Sequence, residues 1–354
     1  MAEMLMKGNE AIGEAAVMAG CRYFFGYPIT PQSELPHYMV KRLAEVGGVF
    51  LQAESETSAI NMCYGAAGAG ARVMTSSSSP GISLKLEGIS YMAGAELPAV
   101  IVNIMRGGPG LGNIQPAQSD YFQATKGGGH GDYNLIVLAP ASVQEIVDLT
   151  IDAFELADKY RNPVMILGDG VLGQMMEPVE IRELKVNIPE KPWATTGATG
   201  RKPNLINSIY IAPEPCEEHN LRLQVKFRQM ARENVRYEDY RTDDAEILVV
   251  AYGTSARIAK GAIDRAREQG IRVGLVRPVS LWPFPYEHLA EVAQKVTAVL
   301  VVEMSAGQMI EDVRLALNGS KPVDFYGRLG GMLPVTSEIL REIEKLAKGG
   351  RSNG

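Results

Sequence analysis

Cysteine is scarce: Cys21, Cys63 and Cys216 are the only three in 354 residues, and they lie far apart. No CxxC pair occurs, so the clustered ligand spacing of iron–sulfur and structural zinc sites is missing. A disulfide scaffold is equally unsuited to a long chain with so few thiols, and all three read as buried or incidental. If the protein does redox chemistry, the metal sits on another chain. Histidine is almost as rare, and His37, His130, His219 and His288 show no metal-ligand spacing, so no metal site is expected here. An excess of positive charge is also lacking. Against 41 Asp and Glu stand 35 Lys and Arg, a net charge of -6, which argues against phosphate-backbone binding and nucleic-acid partners. No apolar run approaches the roughly 20 residues of a membrane helix, and Met1–Glu10 carries no secretory pattern. The expectation is a soluble cytoplasmic protein with no membrane partner. GxSxG and GxxxxGK[ST] are both absent, removing the hydrolase elbow and the P-loop.

What is present is an α/β pattern in two successive units. Short apolar runs at Tyr23–Phe25, Val49–Gln52, Arg72–Thr75, Ala99–Ile104, Leu135–Leu138 and Val164–Leu167 read as strands. The segments between them, Lys7–Ala19, Gln32–Val46, Thr57–Ala67, Ile82–Ala93 and Val143–Lys159, read as helices, which predicts a parallel sheet covered by helices. Ser142 and Glu145 suit a capping box. Residues 177–244 are charged and proline-punctuated, an expected extended connector with a short helix around Leu223–Tyr237. A second α/β unit follows over 245–347, with strands at Glu246–Ala251, Val273–Val276, Ala298–Val302 and Val323–Phe325, and a frayed tail over 348–354.

In parallel sheets ligands bind beyond the carboxyl ends of the strands. Four segments of the first unit (1–176) emerge there: Gly26–Pro31, Glu54–Thr57, Thr75–Gly81 and the long glycine-rich stretch Arg106–Asp132. Each has a local reading and a functional one. Pro28 and Pro31 rigidify a turn in which Thr30 is placed to cap the next helix. Glu54 and Glu56 either gain from a helix N-terminus or face a heteroaromatic ring nitrogen. The serines before Gly81 either permit a tight turn or hold a polar ligand edge. Arg106 is an ion-pairing surface charge or a fork for a substrate carboxylate. His130 orients substrate or satisfies loop backbone. Tyr252–Ser255 and Gly327–Gly331 form turns or a phosphate or partner contact.

Together the motifs GYPITPQS (Gly26–Ser33), ESETSAI (Glu54–Ile60), the serine run ending at Ser79, NIMRGGPGLG (Asn103–Gly112), VVAYGTSA (Val249–Ala256), Arg277–Pro283 and GRLGGMLPVT (Gly327–Thr336) resemble the α subunit of 2-oxoacid:ferredoxin oxidoreductases over essentially the whole chain. The resemblance is closest to the branched-chain type acting on 2-oxoisovalerate, with the 2-oxoglutarate type a near relative. It implies a thiamine-diphosphate pyrimidine-binding domain followed by a transketolase C-terminal-like domain. It also implies a β subunit that binds the diphosphate and Mg²⁺, a γ subunit, a ferredoxin-like subunit with [4Fe–4S] clusters, coenzyme A as co-substrate and ferredoxin as acceptor. The chain is then not expected to be active alone.

By the family motif, Glu56 is the cofactor acid, hydrogen-bonding the aminopyrimidine so that its imino group can take the thiazolium C2 proton. Strand spacing alone does not separate it from Glu54. Thr30 and Arg106 match positions near the reacting centre, and Pro28 a cofactor contact. Two competing readings are a self-sufficient thiamine transferase, for which Gly168-Asp169-Gly170 lacks a suitably spaced Asn, and a non-catalytic scaffold subunit.

Overall fold

The computed structural model describes residues 2–182 and 186–350. The first unit runs β1 (Ala2–Lys7), α1 (Gly8–Met18), β2 (Tyr23–Gly26), α2 (Glu34–Glu45), β3 (Val49–Gln52), α3 (Glu56–Gly68), β4 (Val73–Ser77), α4 (Ser79–Gly94), β5 (Ala99–Met105), α5 (Tyr121–Thr125), β6 (Ile136–Leu138), α6 (Val143–Tyr160), β7 (Pro163–Asp169), α7 (Gly170–Gln174) and β8 (Met176–Ile181). The connecting region holds α8 (Pro213–Glu233) and β9 (Tyr237–Tyr240). The second unit is β10 (Ile247–Val250), α9 (Gly253–Glu268), β11 (Val273–Pro278), β12 (Ser280–Trp282), α10 (Tyr286–Ala293), β13 (Ala298–Glu303), α11 (Met309–Leu317), β14 (Val323–Gly327) and α12 (Thr336–Ala347).

The main sheet has the order β12-β6-β7-β5-β4-β2-β3, with every pairing parallel except β12 on β6. β5 and β7 are buried along their whole length, as central strands covered on both faces must be. β2 and β4 lie side by side, yet the chain leaves β2 toward β3 and β4 toward β5, so their following loops diverge and open a crevice. α6 starts as its sequence suggests, with Ser142 Oγ accepting from Glu145 N at 3.1 Å. The Glu145 carboxylate reaches past the cap to Ala141 N at 2.8 Å, and it also receives Arg277.

The two units are stitched together. β12, from the second unit, is the edge strand of the first sheet, and β9 joins the second sheet, order β14-β13-β10-β11-β9. The expected short helix at Leu223–Tyr237 is instead the 21-residue α8, and Tyr237 belongs to β9. Prolines that look like interruptions open this helix: Pro213 and Pro215 sit in its first turn, where the backbone N–H is unneeded. His219, Leu223, Phe227 and Met230 then form a buried stripe at helical spacing beneath a charged outer face. The parts of the expected connector at 183–185 and of the expected tail at 351–354 lie outside the described residues. Among the described residues no helix is long and apolar enough to cross a membrane.

Candidate active site

The crevice beyond β2 and β4 is where the sequence candidates gather. β3 ends at Gln52, so Glu54 and Glu56 do not continue a strand: Glu54 is exposed in the following bend, whereas Glu56 opens α3 and is 6% exposed. Ser55 caps α3 by accepting from Ser58 N at 3.1 Å, which turns the chain and swings Glu56 inward. The carboxylate lies against the first turn of α4. A methyl group at Gly81 would meet Glu56 Oε1 at 2.6 Å and Ser77 Oγ at 2.0 Å, so only glycine lets α4 approach this closely. The hydroxyls of Ser77 and Ser78 are buried and, among the described residues, have no hydrogen-bond partner. Orphaned buried hydroxyls beside a carboxylate at a strand edge are the signature of a polar ligand left to complete them.

Around this cradle runs a bonded frame. Ser79 Oγ donates to Asp120 Oδ2 at 2.6 Å and accepts from Arg106 N at 3.0 Å, while Asn103 Nδ2 donates to the same Asp120 oxygen at 2.9 Å. Burial raises the Asp120 carboxyl above its ordinary range, and the Ser79 and Asn103 donors pull it back. Arg106 is partly exposed, and its Nη1 and Nη2 donate to Thr30 O at 3.0 Å and Leu111 O at 3.1 Å. Among the described residues its Nε is buried and finds no acceptor. The loop after Arg106 closes as a hairpin through Gly107 N to Gln115 O at 2.8 Å and an Arg106–Pro116 bridge. Its tip is held by the second unit, Asn113 Nδ2 donating to Gly330 O at 2.6 Å.

Thus Glu56, Arg106, Thr30 and the serines share one edge, with Pro28 exposed on the same loop as Thr30. One local expectation needs correction, and one candidate lies apart from the rest. Thr30 does not cap a helix: α2 begins only at Glu34, because Gln32 turns its side chain inward to accept from Ser76 Oγ at 2.5 Å, and Thr30 offers its carbonyl to Arg106. His130 is not brought to this edge. It is exposed beside Tyr91, and its carbonyl accepts from Ser90, roughly 16 Å along α4 from Ser79. Sequence reasoning also missed the Ser79–Asp120–Asn103 frame and Lys85. The latter had a visible signal, since Ile82, Lys85 and Ile89 share one apolar helical face.

Asp169 of the GDG stretch is buried and used locally, capping α7 through Val171 N and Leu172 N and accepting from Thr254 Oγ1 at 2.9 Å. Tyr252–Ser255 is likewise an inter-unit contact: Ser255 Oγ donates to Gln118 Oε1 and Gln118 Nε2 to Tyr252 O. Cys21 and Cys63 are free and buried, their thiols pushed up to about 12. Among the described residues no group of His, Cys, Asp and Glu is arranged to hold a metal ion.

Comparison with known proteins now decides the family. A profile described as pyruvate flavodoxin/ferredoxin oxidoreductase, thiamine diP-binding, matches residues 14–240, and one described as pyruvate:ferredoxin oxidoreductase core domain II matches 245–339. The chain belongs to the pyruvate:ferredoxin oxidoreductase family. It is 55% identical over 354 residues, all of both chains, to the ketoisovalerate oxidoreductase subunit VorB of Methanothermobacter marburgensis. It is 36% identical over 372 residues to the 2-oxoglutarate synthase subunit KorA of Methanothermobacter thermautotrophicus, covering 97% of this chain and 99% of the relative. Among solved structures, the 2-oxoglutarate:ferredoxin oxidoreductase of Magnetococcus marinus, with 2-oxoglutarate, coenzyme A and succinyl-CoA bound, superposes with a TM-score of 0.87 at 26% identity. That match covers 97% of this chain and 65% of the larger one. The fold is thus the thiamine-diphosphate-binding α/β type, and the chain is a 2-oxoacid:ferredoxin oxidoreductase subunit.

Proposed function

We propose that this chain activates thiamine diphosphate in a heteromeric ketoisovalerate:ferredoxin oxidoreductase, with 2-oxoisovalerate as substrate and coenzyme A as acyl acceptor. One observation carries the reading: the Glu56 carboxylate, buried against Gly81 beside the unpartnered hydroxyls of Ser77 and Ser78. A carboxylate acceptor and hydroxyl groups of either polarity fit the edge of an aminopyrimidine. When bound, thiamine diphosphate supplies a carbon nucleophile for the 2-oxo group. Glu56 holds the ring nitrogen and with it the position of the proton on the pyrimidine. Arg106 offers its free N–H groups to the substrate carboxylate, and Thr30, anchored through its carbonyl, fixes the loop that bears Pro28. The higher identity to the ketoisovalerate relative than to the 2-oxoglutarate relative favours the branched-chain substrate.

Diphosphate, Mg²⁺ and [4Fe–4S] clusters are assigned to the β, γ and ferredoxin-like partner subunits, with ferredoxin as the electron acceptor. The rim of the crevice supports such a neighbour, since Leu111 is 84% and Leu329 59% exposed, an apolar surface beside an open site. The test is thiamine C2-proton exchange and viologen reduction by the reconstituted complex with a panel of 2-oxoacids. Glu56→Gln should lower exchange by about 10²–10⁴-fold with assembly retained. Near-normal exchange defeats the reading, and faster turnover of 2-oxoglutarate than 2-oxoisovalerate overturns the substrate choice.

A further inference from the structure

Asp120 occupies the N-cap position of α5, where an aspartate ordinarily turns back to accept the backbone N–H of the second or third helical residue. Among the described residues its side chain makes no such cap bond. The buried carboxylate is turned to the frame of the crevice instead, Oδ2 accepting from Ser79 Oγ at 2.6 Å and from Asn103 Nδ2 at 2.9 Å. The donor it forgoes, the N–H of Phe122, is taken by the second unit, where Gln308 Oε1 accepts it at 2.8 Å. Gln308 Nε2 also donates to Ser119 O at 2.7 Å, so one amide grips the chain on both sides of Asp120. Gln308 is held in turn by the buried carboxylate of Glu303, which accepts from the backbone N–H groups of Gln308, Met309 and Ile310. A local preference set aside in this way marks a group required elsewhere.

The bonds say where. Ser79, Asn103 and Asp120 close a ring: Asn103 Oδ1 accepts Ser79 N at 3.2 Å, and Asn103 Nδ2 and Ser79 Oγ both donate to Asp120. An ionised carboxylate only accepts. It therefore draws the Ser79 proton toward itself and away from Arg106 O, 3.3 Å distant, and leaves a hydroxyl lone pair for Arg106 N at 3.0 Å. Ser79 is also the first residue of α4, two positions before the glycine that lies against the Glu56 carboxylate. The N-cap residue Ser78 makes no side-chain cap bond, so the ring holds the start of this helix from outside. One carboxylate thereby ties the turn packed on Glu56 to the backbone of Arg106.

We propose that Asp120 is a positioning residue for the reaction, aligning the first turn of α4 with Arg106, and that Gln308 of the second unit keeps it there by capping α5 in its place. The proposal rests on the reading of Glu56 as the cofactor acid and of Arg106 as the group that faces substrate.

The experiment uses the complete complex carrying Asp120→Ala, Asp120→Asn, Gln308→Met or the Asp120→Ala/Gln308→Met pair. Asparagine can set its carbonyl where Oδ2 lies and accept both bonds; methionine keeps the bulk of Gln308 and hands Phe122 N back to Asp120. Three readouts are followed well below Tm: C2-proton exchange, KM for 2-oxoisovalerate, and amide hydrogen exchange in peptides carrying Arg106, which needs no cofactor or turnover. Asp120→Ala should slow C2 exchange about 10²-fold, raise KM about tenfold and strip protection from the Arg106 amide. Asp120→Asn should recover most of all three. Gln308→Met should move each in the same direction by a smaller factor, and the double variant should be no slower than Asp120→Ala alone. Native KM, C2 exchange and Arg106 protection in Asp120→Ala, with only Tm lowered, would make Asp120 a structural residue and overturn the proposal. Losses that multiply in the double variant would break the link to Gln308. Should Asp120→Ala fail to assemble, Gln308→Met decides: altered KM and Arg106 protection uphold the proposal, and native values sink it. Normal C2 exchange in a Glu56→Gln complex brings down the cofactor reading itself, whereas its loss there beside native Asp120 variants condemns this proposal alone.

Discussion

Gly81→Ala tests the cradle with a single methyl group. In the native structure that methyl would lie 2.6 Å from Glu56 Oε1, 0.8 Å short of the 3.4 Å at which ordinary contact begins, and only 2.0 Å from Ser77 Oγ. Gly81 has no left-handed backbone requirement, so the substitution is not opposed by φ. Alanine even favours the helix, by up to about 1 kcal/mol. Overpacking opposes it by about 1–3 kcal/mol, which leaves a net loss of about 0–2 kcal/mol. For a chain of this size that lowers Tm by about 0–3 °C. The protein should fold; what must give is the position of Glu56 or Ser77.

A displacement approaching 1 Å at a catalytic group costs about 10²-fold in rate. C2-proton exchange in the assembled complex should fall by about that factor while Tm changes little. Gly65→Ala is the matched control, since Gly65 lies exposed in the last turn of α3 with nothing within 4 Å of an added methyl. It should raise Tm by about 1 °C and leave exchange untouched. Wild-type exchange in Gly81→Ala would mean that the first turn of α4 does not fix the carboxylate, and the site as built here would fail.

Arg106→Ala should raise KM for the 2-oxoacid by about ten- to a hundredfold, the worth of a charge-assisted hydrogen bond. An unchanged KM with reduced thermal stability would confine Arg106 to bracing the Thr30 and Leu111 carbonyls. Thr254→Val removes one donor to buried Asp169 and should destabilise the chain by about 1–2 kcal/mol in calorimetry; no change would show that this inter-unit bond is not a stabilising contact.

The strand and helix pattern was legible because each unit is a parallel α/β layer whose central strands read as unbroken apolar runs. Glu56 was found through a motif, and the physical distinction from Glu54 needed the fold: only the turn capped by Ser55 buries one acid and exposes the other. Elements that escaped the sequence reading depend on distant partners. β1 pairs with β8, and β12 with β6, across separations that no local pattern encodes. Thr30 illustrates a local rule overridden by tertiary demand, because Gln32 is drawn inward to Ser76 and delays the helix. His130 lies apart from the other candidates for a simpler reason. The loop Arg106–Asp132 begins at the carboxyl edge of the sheet but must return to the amino edge to start β6, so its two ends cannot share a site.

That return path gives the second unit its part in the crevice. Halfway along it, Gln118 is locked by five hydrogen bonds: its N donates to Met304 O at 2.8 Å, Met304 N and Ser255 Oγ donate to its Oε1, its Nε2 donates to Tyr252 O, and the Tyr252 hydroxyl donates to its carbonyl at 3.2 Å. Two residues later Asp120 accepts from Ser79, and Ser79 in turn receives the backbone N–H of Arg106. The second unit thus holds the loop at Gln118, and again at Asn113 through Gly330, both just downstream of the Arg106–Leu111 stretch that rims the site. A mobile 27-residue loop would lose the placement of Arg106 to conformational entropy. Fixed at both places, it forms a wall of the crevice, and the second unit helps to hold the loop whose Leu111 carbonyl receives the Arg106 guanidinium.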